Sequence, residues 1–177
     1  MNGLVVWLTG LPQAGKSTLA ARLRAALLAA GESACILDGD EVREAISPVP
    51  GYGQEARDAF YATLGQLAAL LAKQGLTVIV PATAHLRRYR DAARAIAPGF
   101  IEVHVATPME ECARRDEKGL YARAPADLPG VHVAYEPPRT AEVVAQGGRD
   151  EAALDEIVRA ALAQRHKACS ISDDDHS

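Results

Sequence analysis

The stretch Leu4-Val-Val-Trp-Leu-Thr9, followed at once by Gly10-Leu-Pro-Gln-Ala-Gly-Lys-Ser17, decides how this chain is read. The first six residues are almost wholly apolar, as a strand covered on both faces must be. The next eight match G-x-x-x-x-G-K-S, a glycine-rich turn that leads into a helix over Ser17 to Ala30, ended by Gly31. Glycines permit backbone angles that turn successive amides toward one concavity, and a helix start adds partial positive charge. Gly10, Gln13, Ala14, Gly15 and Thr18 are therefore expected to line a polyphosphate site. Lys16 is expected to reach the terminal phosphates, and Ser17 to place its hydroxyl on Mg²⁺. The alternative is a plain strand-to-helix turn with a surface lysine. Position between strand and helix argues for the phosphate loop and for ATP as its ligand.

Outward from this stretch, apolar runs alternate with segments of helical period, the pattern of an α/β chain with a parallel sheet. Further strands are expected at Ala34–Leu37, Thr77–Val80 and Phe100–Val105, with an edge strand at Ala141–Ala145. Helices are expected near Glu41–Ile46, over Gln54–Gln74, Leu86–Ile96 and Met109–Arg115, and at the end over Glu151–Gln164. The fold class is α/β: a three-layer α/β/α P-loop NTPase fold with a mainly parallel sheet and a lid loop. The lid is the segment of about 116–140, dense in proline and too irregular for a regular element. One domain is expected over 1–165, with 166–177, which ends in an acidic run, as a disordered tail.

Composition bounds the function. The 177 residues are 49% hydrophobic, enough for one core, and the net charge of -4 argues against a nucleic-acid binder. No apolar run is long enough to cross a bilayer and no leader pattern opens the chain, so a cytoplasmic protein without membrane contact is expected. Cys35, Cys112 and Cys169 have neither disulfide-framework nor zinc spacing and are expected to act as small hydrophobes.

No guanine-reading N-K-x-D string follows, and Val78-Ile-Val-Pro-Ala-Thr83 ends without a Walker B aspartate, which argues against a GTPase. Acidic residues stand instead at Asp38-Gly39-Asp40, after the second strand, at the sheet edge shared with the phosphate loop. They are placed to orient a Mg²⁺-bound water or to take a proton from an attacking hydroxyl. Asp40 also suits a helix cap, and the two readings are compatible.

Gly10 to Thr18, Leu37-Asp-Gly-Asp-Glu-Val-Arg43, Phe100 to Pro108, Cys112-Ala-Arg-Arg-Asp-Glu-Lys-Gly-Leu-Tyr121 and Tyr135-Glu-Pro-Pro138 together resemble the adenylylsulfate kinases, from residue 3 to about 162. The resemblance implies transfer of the ATP γ-phosphate to the 3′-hydroxyl of adenosine 5′-phosphosulfate. It implies Lys16, Asp40 and Lys118 as catalytic residues, Ser17 and Asp40 as metal-side residues, and Arg115 at the nucleotide. Asp38, Arg43, Tyr52, Arg57 and Leu128 would line the acceptor site, and a homodimer is common in the family. Arg123 reads as a solvated lid cation.

The acceptor half departs from the family pattern. Phe60 stands where that pattern has an asparagine, Ala62 and Thr63 where it has an arginine pair, and Leu128 where it has a stacking phenylalanine. Ala84-His-Leu-Arg87 replaces S-P-x-R, while Tyr52 keeps an aromatic ring. Two further readings therefore stand beside the first: a kinase of the same fold acting on another nucleotide-linked or small acceptor, and a nucleotide-binding regulatory module without turnover.

Overall fold

A computed structural model describes residues 3–116, 119–123, 125 and 128–165 in full and the backbone of 166–170. Its sheet has five parallel strands, β1 (Leu4–Thr9), β2 (Ala34–Ile36), β3 (Thr77–Pro81), β4 (Phe100–Val105) and β5 (Val143–Ala145), in the order β2-β3-β1-β4-β5. β1 is central, paired from Val5 to Leu8 with Val78 to Pro81 on one side and with Phe100 to Val103 on the other. The alternation of side chains along a strand then builds two cores. Leu4, Val6 and Leu8 pack with α1 (Lys16–Ala29) and α7 (Glu151–Ser170), whereas Val5 and Trp7 face α3 (Gln54–Lys73) and α4 (Arg87–Ile96). Three layers result, as the sequence pattern requires. β5 lies at the sheet edge, as expected of its short, half-apolar sequence.

The remaining helices are α2 (Gly39–Ala45), α5 (Met109–Arg115) and α6 (Leu120–Arg123). Most boundaries fall within one or two residues of the sequence reading, and three differences bear on the site or the chain end. α2 starts at Gly39 because the Asp38 side chain, not that of Asp40, caps it by accepting the Asp40 amide at 2.9 Å. The lid segment, expected to be irregular, contains α6, whose first turn is held by Asp116: one carboxylate oxygen accepts from Leu120 N at 2.6 Å and the other from Ala122 N at 2.9 Å. α7 continues to Ser170, past the expected end at Gln164, so the start of the supposed tail is helical; the rest of it lies outside the described residues. Among the described residues no helix is long and apolar enough to cross a membrane. Cys112 is buried, as expected, while Cys35 is half-buried; the side chain of Cys169 lies outside the description.

Candidate active site

The C-terminal ends of β1, β2, β3 and β4 open on one edge, and the phosphate loop turns there into α1. Glycine is required at two of its positions by close approach. A Cβ on Gly10 would stand 2.5 Å from the Val105 carbonyl oxygen, and one on Gly15, at φ +99°, would stand 2.6 Å from the amide nitrogen of Gly148. Gln13 adopts φ +62° between them. No acidic residue sits in the first turn of α1, so its partial positive charge stays available to an anion. The Lys16 ammonium folds over the rim of the loop, donating to Gly10 O at 3.0 Å and Leu11 O at 2.8 Å. Beneath, the Thr107 hydroxyl donates to Ala14 O at 2.7 Å, which fixes the backbone of the turn from the β4 side. Thr18 is exposed at the start of α1, beside Gly148.

Ser17 Oγ donates to Asp38 Oδ2 at 2.8 Å, while Asp38 Oδ1 takes the Asp40 amide. The hydroxyl–carboxylate pair at the phosphate loop is thus Ser17 with Asp38, and Asp40 stands in the first turn of α2 with an exposed side chain. The sequence reading had named Asp40 both as a metal-side residue with Ser17 and as a possible helix cap; the cap is Asp38 instead, because it lies in extended backbone where a cap must be. Among the described residues no cluster of three or more His, Cys, Asp or Glu is built to hold a metal. The oxygen donors present fit Mg²⁺ of the kind held by one or two side chains plus phosphate oxygens and water.

On the acceptor side the departures from the family pattern have a structural meaning. The Arg43 guanidinium is buried, donates from Nη1 to Pro50 O at 3.2 Å and Gly51 O at 2.8 Å, and stacks on Phe60 at 3.8 Å and on Tyr52 at 4.7 Å. It fastens the 47–53 loop, and Phe60 is the floor under it. Tyr52 itself is 57% exposed and keeps an open ring. Arg57 is buried on α3. Thr63 donates back to Ala59 O on its own helix at 3.0 Å, and both Ala62 and Thr63 face solvent, so neither replaces the expected arginines. Leu128 is 4% exposed, its carbonyl gathering the amides of Val131, His132 and Val133, so in this conformation it offers no face to an acceptor. Lys118 lies outside the described residues.

Two features escaped the sequence reading. His85, on the loop after β3, is 1% exposed, with neither ring nitrogen hydrogen-bonded, and it packs edge-on to Tyr61 and Tyr89. Burial, reinforced by the Arg57 charge, pushes its pKa down to about 4, so the imidazole is neutral. Beside it Arg90, also 1% exposed, donates to the Glu102 carboxylate at 2.6 Å, to Ala84 O, and to Glu136 O at 2.7 Å. The Arg87 amide donates to Glu136 Oε2 at 2.9 Å and the Glu136 amide to His85 O at 2.8 Å. The Tyr135-Glu136 end of the lid is thereby bolted to the loop after β3, and the Tyr135 hydroxyl lies 3.1 Å from Thr9 Oγ1. An arginine at a helical position gives no sequence signal for such a joint.

The other end of the lid is ordered by the described residues of the R-D-x-K-G-L-Y string, Arg115, Asp116 and 119–121. Arg115 pairs with Glu111 at 2.8 Å, as does Arg114 at 2.7 Å; Asp116 caps α6; Gly119 turns at φ +60°. Tyr121 then donates to Pro12 O on the phosphate loop at 2.9 Å. Between Leu11, Met109 and the lid residues Gly130, Val133 and Tyr135 lies an open cavity of about 420 Å³.

The model of the adenylylsulphate kinase family matches residues 2–146. The chain belongs to the adenylylsulfate kinase family. Members of this family are kinases acting on a hydroxyl group, and the chain shares their P-loop fold. It is 41% identical over 148 residues to an adenylyl-sulfate kinase of Shewanella baltica, covering 80% of this chain and 72% of that one. It is also 41% identical over 154 residues to a probable bifunctional SAT/APS kinase of Sorangium cellulosum, covering 85% of this chain but 26% of that longer protein. Among solved structures, the Mycobacterium tuberculosis APS kinase in complex with AMPPNP and APS superposes with a TM-score of 0.80 at 33% identity, over 92% of this chain and 96% of that one.

Proposed function

We propose that this chain is an ATP-dependent adenylylsulfate kinase that phosphorylates the 3′-hydroxyl of adenosine 5′-phosphosulfate. The observation that carries the reading is the phosphate loop with Lys16 and the Ser17–Asp38 pair at the same sheet edge as Arg43, Tyr52 and Arg57, in a chain of this family. Binding ATP draws Lys16 from the Gly10 and Leu11 carbonyls to the β- and γ-phosphates. Ser17 and Asp38 are the residues that would hold Mg²⁺, which supplies charge neutralisation on the phosphate oxygens. Asp40, exposed at the start of α2, takes the proton of the attacking hydroxyl. The bond from the γ-phosphorus to the bridging oxygen breaks, a bond to the 3′-oxygen forms, and ADP leaves. Lys118 and Arg115 are the cations proposed above the transferring group, which suits a reaction governed by positioning and charge. Arg57 and Tyr52 are proposed to hold the acceptor's anion and base.

Incubation with ATP, Mg²⁺ and adenosine 5′-phosphosulfate should yield ADP and the 3′-phosphorylated product in equal amounts. No turnover at saturating acceptor would end the proposal. One observation favours a second reading, the same transfer to another nucleotide-linked acceptor: Arg43 is already engaged by two carbonyls and the Phe60 ring. A panel of nucleotide-linked acceptors decides between the two by their kcat/KM. We place the protein in the cytoplasm as a homodimer, which fractionation and light scattering would test.

A further inference from the structure

The carbonyls of Gly10, Leu11 and Pro12 are all claimed by side chains, but by different parts of the molecule. Lys16, on the phosphate loop itself, takes the first two, and Tyr121, on the lid helix α6, takes the third at 2.9 Å. Tyr121 is half-buried and held from both sides. Asp116 fixes the turn that carries it, through the Leu120 and Ala122 amides, and the Tyr121 side chain packs against the core cluster that contains Cys112. Cys112 is fully buried and donates from Sγ to Thr107 O at 3.6 Å, and the Thr107 hydroxyl holds Ala14 O at 2.7 Å. The phosphate loop is thus held at Pro12 by Tyr121 and at Ala14 by Thr107, which in turn accepts from Cys112. Tyr121 is the contact that belongs to the lid.

We propose that Tyr121 is a positioning residue whose hydroxyl couples nucleotide occupancy of the phosphate loop to the order of the lid. When a nucleotide phosphate draws Lys16 away from Gly10 and Leu11, the Pro12 carbonyl stays fixed from below by Tyr121. Ordering of residues 10–15 around phosphates then orders α6 with them, and by reciprocity a settled lid favours the nucleotide. The proposal rests on the nucleotide-binding part of the proposed function and not on the identity of the acceptor.

The test follows trypsin cleavage after Arg123, an exposed residue at the end of α6, by mass spectrometry with and without Mg²⁺ and ADP. In the wild-type chain ADP slows this cleavage. In Tyr121→Phe, which keeps the ring and loses the bond, the slowing by ADP shrinks by about three- to tenfold, the worth of one neutral hydrogen bond. ADP affinity falls by no more than the same factor, as reciprocity requires, and the melting temperature without ADP stays close to wild type, which separates coupling from simple destabilisation. Tyr121→Met loses the same hydroxyl and must lose the same slowing. Wild-type protection in Tyr121→Phe, or its loss only in Tyr121→Met, overturns the proposal, since the ring and not the hydroxyl would then matter. A wild-type chain that binds ADP and shows no slowing overturns it as well, whereas one that binds no ADP sinks the nucleotide reading beneath it.

Discussion

The two halves of the site are built on different principles. The phosphate loop holds its shape with backbone: glycines at 10 and 15 admit the close approach of β4 and of Gly148, and carbonyls at Pro12 and Ala14 are held by Tyr121 and Thr107. The acceptor half holds its shape with side chains: Arg43 between Tyr52 and Phe60, Arg90 between three oxygens, His85 wedged among aromatic rings. Backbone architecture tolerates almost no substitution at its few glycines and is indifferent to most other positions. Side-chain architecture is rewritten by single exchanges, and the departures from the family pattern are concentrated there.

The sharpest way to break this contrast is at Lys16. Lys16→Ala removes the one side-chain cation built into the loop, and activity should fall by about a thousandfold or more while the melting temperature drops only slightly, because loss of its two bonds to the Gly10 and Leu11 carbonyls is small beside loss of the charge on the transferring phosphoryl group. A variant with near-normal turnover would mean that backbone alone suffices. Asp40→Asn should lower kcat by roughly a hundredfold or more with ATP affinity within a few-fold of wild type, as loss of a general base requires; isothermal calorimetry beside steady-state kinetics reads both. Should ATP binding fall in step with kcat, Asp40 would belong to the nucleotide half after all.

Next in size is a pH effect on stability. The folded pKa of His85 lies at about 4, below its ordinary 6.5, so the unfolded chain binds a proton that the folded one refuses. Stability should therefore decline as pH falls from about 6.5 toward 4, by up to roughly 3 kcal/mol from this group. His85→Leu should flatten that decline in thermal melts across this range, leaving the smaller share of His104, whose pKa burial also lowers. An unchanged slope would remove His85 from the account. The smallest effect is expected from Arg43→Met, which frees the Pro50 and Gly51 carbonyls and should raise acceptor KM about tenfold with ATP KM unchanged. Equal changes in both KM values would erase the division between the halves.

Legibility in the sequence follows the same division. A backbone site writes itself into contiguous letters, so Gly10 to Thr18 and its flanking strand gave both the fold and the nucleotide end. The R-D-x-K-G-L-Y string was equally visible, although its Asp116, Gly119 and Tyr121 turn out to shape the lid. Long-range side-chain contacts leave no such trace. Nothing local marks Arg90 as buried or Phe60 as the floor beneath Arg43, and the choice between Asp38 and Asp40 depended on one residue's extended backbone at a helix start. The Gly147-Gly148 pair after β5 was a signal that could have been used: a Cβ on Gly148 would stand 2.5 Å from Gly15 O, which explains why glycine is there.

That last contact bears on how the site is assembled. Gly15 follows β1 and Gly148 follows β5, so the two residues that close on each other belong to the first and the last strand of the sheet along the chain. The pocket is therefore complete only when the edge strand β5 has joined β4, and the motif, although whole as a string of letters, is not yet a site without it.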